Sequence, residues 1–121
     1  MKKIITILLL LFCMIAHAEN REWTDNERGW AVAALVFTAT DWVTTRNMTK
    51  RYNENYYEHN PLLGSHPTTA KVNQYFAITV PVMFLIADNL DEYRRPFLMG
   101  LTGVELAVSA NNLRLGLHLN F

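Results

Sequence analysis

Trp30-Ala-Val-Ala-Ala-Leu-Val-Phe-Thr-Ala-Thr-Asp-Trp-Val-Thr-Thr-Arg46 is the stretch on which the fold turns. Its first eight residues are apolar nearly all round, so a helix built from them needs lipid or deep burial rather than a half-wet surface. Its second half is different. Thr38, Asp41 and Thr45 stand at i, i+3 and i+7, which places them on one helical face. Asp41 is the only charge between Arg28 and Arg46. Upstream, Thr24-Asp25-Asn26-Glu27 has capping-box form, and Arg46, Lys50 and Arg51 suit the negative end of a helix dipole. The segment therefore predicts a helix from about Thr24 to Arg46 with one polar face.

Two further apolar segments follow. Between Val72 and Ala87 there is no charge, and Pro67 fits a first helical turn. Pro81 lies inside this segment and implies a kink and a freed carbonyl, which a membrane helix tolerates better than a soluble one. The third segment runs from about Pro96 to Ala110, with Glu105 as its only charge. Gly100 and Gly103 lower its helix propensity but allow close helix contact. The uncharged or nearly uncharged stretches are about 16 to 18 residues long, at the short end for a span.

The N-terminus reads as an export signal, covering residues 1–18. Lys2 and Lys3 precede an apolar run from Ile4 to Ala16, and Ala16-His17-Ala18 has the small-x-small form of a cleavage site. The run is about 13 residues, short of the roughly 20 that a spanning helix needs, so cleavage before Glu19 is favoured over an anchor. Cleavage would remove Cys13, the single cysteine of the chain. One cysteine also excludes a disulfide scaffold and a Cys-based zinc site.

The 121 residues suffice for one unit; half are hydrophobic, 18% are charged, and the formal charge is zero. That balance excludes a basic nucleic-acid-coating protein and an acidic disordered tail. No Gly-rich phosphate loop is present. The expected fold is all-α: a small helical membrane protein with three hydrophobic helices in residues 19–112, after the signal. The implied partners are a lipid bilayer and either further copies of the chain or a larger envelope complex. Three short helices enclose little by themselves, which favours oligomers.

Loop charges give an orientation. With Glu19 outside, the loop carrying Arg46, Lys50, Arg51 and Lys71 lies inside. The loop with Asp88, Asp91, Glu92, Arg94 and Arg95 then lies outside, in line with the positive-inside bias. Trp23, Trp30, Trp42, Tyr52, Tyr56, Tyr57, Tyr75 and Tyr93 fall near the span ends, as interfacial aromatics do. The inner membrane is the expected place, with the periplasm or the outer membrane as alternatives.

In such a setting polar residues are the informative ones. Asp41 and Glu105, on different helices, each demand a partner, a wet cavity or a shared proton or cation. The loop Glu58-His59-Asn60-Pro61-Leu62-Leu63-Gly64-Ser65-His66-Pro67 adds acid–base capacity and strong turn chemistry. Its Glu and His spacing matches no standard zinc pattern, so no metal and no cofactor is assigned. The bland reading is that Glu58 and Asn60 satisfy backbone groups of a structured loop, and that nearby hydroxyls satisfy Asp41 and Glu105.

Asp41-x-x-Thr44-Thr45 followed by Glu58-x-Asn60-Pro61-Leu62-Leu63-Gly64 resembles a pattern in uncharacterised small polytopic membrane proteins of bacteria and their phages. The resemblance covers about Asp41 to Asn112, including Glu105 and Asn111. It implies a small polytopic helical fold and a linked polar set of Asp41, Thr45, Glu58 and Asn60, and it implies no activity. The signal and the C-terminal tail depart from the minimal pattern.

The candidate site is thus Thr38, Asp41, Thr45, Glu58, His59, Asn60, Glu105 and Asn111, with no catalytic residue assigned. No Ser-x-x-Lys, Gly-x-Ser-x-Gly or His-Glu-x-x-His motif points to an enzyme. The expected role is a non-enzymatic accessory one in the envelope, with proton or cation handling by Asp41 and Glu105 as the alternative. The tail, residues 113–121, alternates apolar and polar residues up to Phe121 and reads as a short strand. A second alternative follows from it, an outer-membrane association through that strand.

Overall fold

Thr24 and Glu27 cap each other: the Thr24 hydroxyl accepts from the Glu27 amide at 3.2 Å, and Glu27 Oε2 accepts from the Thr24 amide at 2.9 Å. This reciprocal pair satisfies two donors that a helix start leaves open, and it opens α1, Asp25–Met48. The computed structural model describes residues 21–51, 56, 58–117 and 119. The export signal expected at residues 1–18 lies outside the described residues.

Two more helices complete an all-α architecture: α2, Thr69–Asn89, and α3, Arg94–Arg114, with a short 3₁₀ turn at Asp91–Tyr93 between them. The Thr68 hydroxyl caps α2 by accepting from the Lys71 amide at 3.2 Å. Pro81 sits within α2 and does not end it. Pro96 falls in the first turn of α3, where no intrahelical donor is lost.

The C-terminal strand expected from Leu113 is not formed at its start. Leu113 and Arg114 continue α3, and Leu115–Gly116 is a turn. Gly116 has φ +83°, its amide donates to the Leu113 carbonyl at 3.0 Å, and the Leu117 amide donates to the Asn112 carbonyl at 3.2 Å. That is the Schellman pattern of a helix terminus. The period-two reading failed because it treated Gly116 as one more outward residue of a strand. Its freedom at positive φ instead makes it a helix stop. Residues 118, 120 and 121 lie outside the described residues.

α1 and α3 form the principal pair, and α2 leans mainly on α1 and meets α3 more lightly. The seam of the main pair is polar. Beyond Arg94 at its start, the buried residues of α3 are Leu98, Thr102, Glu105 and Ser109, at alternating spacings of four and three. On α1 Ala34, Thr38 and Thr45 are buried along the facing stripe, with Asp41 half-buried between them. Hydroxyls tie the helices together: Ser109 Oγ donates to the Phe37 carbonyl at 2.9 Å, and Thr102 Oγ1 stands 3.3 Å from the Trp30 carbonyl. The apolar core is small and local: Leu63, Val72 and Phe76, flanked by Trp42 and Tyr75.

The exterior is the reverse. From Phe97 to Ala110 every exposed residue is apolar or glycine, and the polar Thr102, Glu105 and Ser109 are all buried. From Trp30 to Thr45 the exposed residues are Val32, Leu35, Val36 and Ala39. Val32 and Val104 are each 62% exposed. A water-soluble bundle distributes its residues the other way round.

Three hydrophobic helices were expected. Among the described residues α2 alone is long and apolar enough by composition to cross a membrane. α1 and α3 spend interior positions on polar residues and carry exposed charges at their ends, among them Asp25, Arg28, Arg95 and Arg114, and both lower their average hydropathy. Gly100 and Gly103 do not mediate helix contact within the chain, since a Cβ on either would meet nothing within 4 Å.

Candidate functional site

A cavity of about 850 Å³ opens between the seam, the connecting loop and α2. All eight residues singled out from sequence line it: Thr38, Asp41 and Thr45 from α1, Glu58, His59 and Asn60 from the connecting loop, and Glu105 and Asn111 from α3. Helical periodicity explains the α1 members; on α3 Glu105 is buried and Asn111 is exposed at the rim. The loop members are brought in by a tight local fold.

That loop is held from within. The Glu58 amide donates to the Ser65 carbonyl at 2.9 Å, and Glu58 Oε1 accepts from the Asn60 amide at 2.8 Å. Asn60 Oδ1 accepts from the Leu62 amide at 3.0 Å, an Asx turn. The Asn60 carbonyl accepts from the amides of Leu63 and Gly64, both at 3.0 Å. Gly64 adopts φ +79°, a conformation that other residues reach only with strain. Leu63 then inserts into the core, and Lys71 Nζ donates to its carbonyl at 2.7 Å. The result sets Glu58 and His59 at the cavity wall.

Asp41 is well satisfied. Its Oδ1 accepts from Thr45 Oγ1 and from Asn112 Nδ2, each at 2.9 Å. Asn112 Nδ2 also donates to Thr44 Oγ1 at 2.9 Å, while Thr44 donates back to the Thr40 carbonyl at 2.8 Å. Glu105 is different. It is 8% exposed, and its Oε2 has no hydrogen-bond partner among the described residues. A buried carboxylate oxygen without a donor is costly.

Three acidic side chains therefore line one cavity, and among the described residues no Lys or Arg lines it. Tyr75, Phe76 and Phe97 supply aromatic wall, with Met83, Leu101 and Val104 among the apolar remainder. Among the described residues no three His, Cys, Asp or Glu side chains are grouped to hold a metal ion. His66 lies off the cavity and is exposed.

Sequence reading passed over Asn112 and Thr44. The signal was available: Asn112 stands seven residues after Glu105, on the same face of α3. The aromatic wall was missed because Tyr75 was read as an interfacial ring.

A second polar cluster fastens the other end. Arg94 is fully buried, and its guanidinium donates to the carbonyls of Ala87 at 3.0 Å, Asp88 at 2.9 Å and Arg21 at 3.2 Å. It stands 3.5 Å from Glu27 Oε2 and stacks on Trp23, 4.8 Å from the ring centroid. Trp23 Nε1 in turn donates to Asp88 Oδ1 at 2.7 Å. Arg21 pairs with Glu27 and reaches Asp91 Oδ1 at 3.2 Å. Burial by itself would raise the Glu27 pKa, but the hydrogen bonds from the Thr24 amide and the Arg21 guanidinium prevail and hold it down at about 2.

No protein-family model, no curated protein and no solved structure matches the chain.

Proposed function

We propose that this chain is a small integral membrane protein of the bacterial envelope, placed in the inner membrane by its N-terminal signal, which acts by binding rather than by turnover. The observation that carries the reading is the inverted polarity of α1 and α3. Between Trp30 and Thr45 and between Phe97 and Ala110 the Thr, Ser and carboxylate side chains are buried or half-buried, and the exposed residues are Val, Leu, Met, Ala and Gly. In water this arrangement forfeits the main driving force for folding. In lipid it is favoured, because helix association there rests on packing and interhelical hydrogen bonds.

The cavity supports the accessory role. It is ligand-sized, it forms within one chain, and one of its acids, Asp41, is held by hydrogen bonds along the seam. Alkaline carbonate extraction of the tagged chain, with N-terminal sequencing, tests the placement. Retention in the pellet with Glu19 at the N-terminus is expected, and release into the supernatant overturns it.

A second reading, proton or cation handling, is favoured by one observation: Glu105 Oε2 is buried with no donor among the described residues. Under it, Asp41→Asn and Glu105→Gln abolish activity at normal membrane abundance. An accessory protein tolerates one or both, or loses abundance instead.

A further inference from the structure

We infer that the cavity between α2 and α3 receives a small organic cation, an ammonium group on an aromatic or apolar body, and that Glu105 is its principal anchor. This rests on the binding role proposed above and names the ligand class.

Four features of the cavity converge on this class. First, its ionisable side is acidic: Asp41, Glu58 and Glu105 line it, and among the described residues no Lys or Arg does. Carboxyl groups gathered on one side of a cavity without a protein counter-charge favour a cation over an anion there. Second, the carboxylates are not equivalent. Asp41 Oδ1 already has two donors, from Thr45 and Asn112, whereas Glu105 Oε2 has none among the described residues although Glu105 is 92% buried. Glu105 is the carboxylate that lacks a donor. An ammonium group carries up to three donors and a full positive charge.

Third, a bare inorganic ion fits poorly. A hard divalent cation wants six or more oxygen ligands converging within about 2.6 Å. No such cluster of three acidic, His or Cys side chains exists among the described residues, and the volume of about 850 Å³ lies in the range of organic ligands. Fourth, much of the remaining lining is aromatic and apolar. Tyr75 and Phe76 of α2 meet edge to face with centroids 5.1 Å apart, and Phe97 of α3 lines the same cavity. Aromatic faces attract ammonium groups and pack the body that carries them.

The full-length chain, purified in detergent, tests this by titration calorimetry with phenethylammonium, 2-phenylethanol and phenylacetate. These share one ring and differ in charge. The expected result is at least tenfold tighter binding of phenethylammonium than of either isostere. Glu105→Gln reduces that preference to threefold or less while leaving 2-phenylethanol binding unchanged. Equal binding of the three, or binding of phenylacetate ahead of the amine, overturns the assignment, as does sodium or magnesium displacing phenethylammonium at equimolar concentration. Should Glu105→Gln fail to fold, the wild-type comparison alone decides, with Glu58→Gln expected to weaken the amine about threefold. The placement in lipid is judged separately by carbonate extraction. A chain that stays in the pellet but shows no amine preference defeats the ligand assignment only.

Discussion

Asn112 Nδ2 donates to Asp41 Oδ1 at 2.9 Å, joining residues 71 apart in the chain and fastening the end of α3 to α1. The same nitrogen reaches Thr44 Oγ1, so one side chain satisfies two buried acceptors of the seam. This relationship predicts a measurable coupling. In a double-mutant cycle of Asp41→Ala and Asn112→Ala, unfolding by detergent titration should give a coupling of about 1 kcal/mol, the scale of interhelical hydrogen bonds in membranes. Additive losses would mean the contact contributes nothing net.

Arg94 holds the opposite end through three carbonyl acceptors, the Glu27 carboxylate and the Trp23 ring. Arg94→Met should destabilise by on the order of 3 kcal/mol, because it removes a buried cation from partners that remain buried. Arg94→Lys should recover only part of that loss, since one ammonium cannot reach three carbonyls with fork geometry. Equal stability of Arg94→Lys and wild type would show that charge alone matters there.

Glu27 makes part of the stability pH-dependent. Its folded pKa of about 2 lies below the ordinary value of 4.5. A depressed carboxylate contributes fully above its unfolded pKa and loses that contribution as pH falls toward the folded one. The stability difference between wild type and Glu27→Gln should therefore stay constant from pH 7 to about 4.5 and shrink steadily as pH falls toward 2. A difference that is flat across that acid range would contradict the pairing with Arg21 and Thr24.

Gly116 and Gly103 should respond in opposite ways to alanine. Gly116 ends α3 at φ +83°, so Gly116→Ala should cost about 1 kcal/mol by forcing a left-handed conformation on a residue with a Cβ. Gly103 is helical, exposed and has nothing within 4 Å of an added Cβ. Gly103→Ala should leave stability unchanged or raise it by up to about 1 kcal/mol. Thermal or detergent unfolding of the two variants reads both signs.

The helices were legible because their signals are local. The Thr24-to-Glu27 cap and the charge-free Val72–Ala87 run each act within a turn or two. The polar face of α1 was legible for the same reason, as Thr38, Asp41 and Thr45 recur at helical spacing. The tail was misread because alternation in Leu113–Leu119 suits a strand as written, and only the positive φ at Gly116 shows a helix terminus instead. Arg94 was read as one of two loop arginines. Its burial depends on carbonyls from Arg21, Ala87 and Asp88, which come together only in three dimensions. The aromatic lining of the cavity was hidden likewise, since nothing in the sequence shows that Tyr75 and Phe97, on different helices, line one cavity.

The central claim is that the outer faces of α1 and α3 meet lipid while their seam stays polar. Nitroxide labels at Val32→Cys and Val104→Cys, in a Cys13→Ser background reconstituted into vesicles, test it through collision rates with oxygen and with a water-soluble nickel chelate. Both positions should favour oxygen strongly, with the exposed Glu22→Cys label favouring nickel. Val32 and Val104 labels as accessible to nickel as the Glu22 label would contradict the claim.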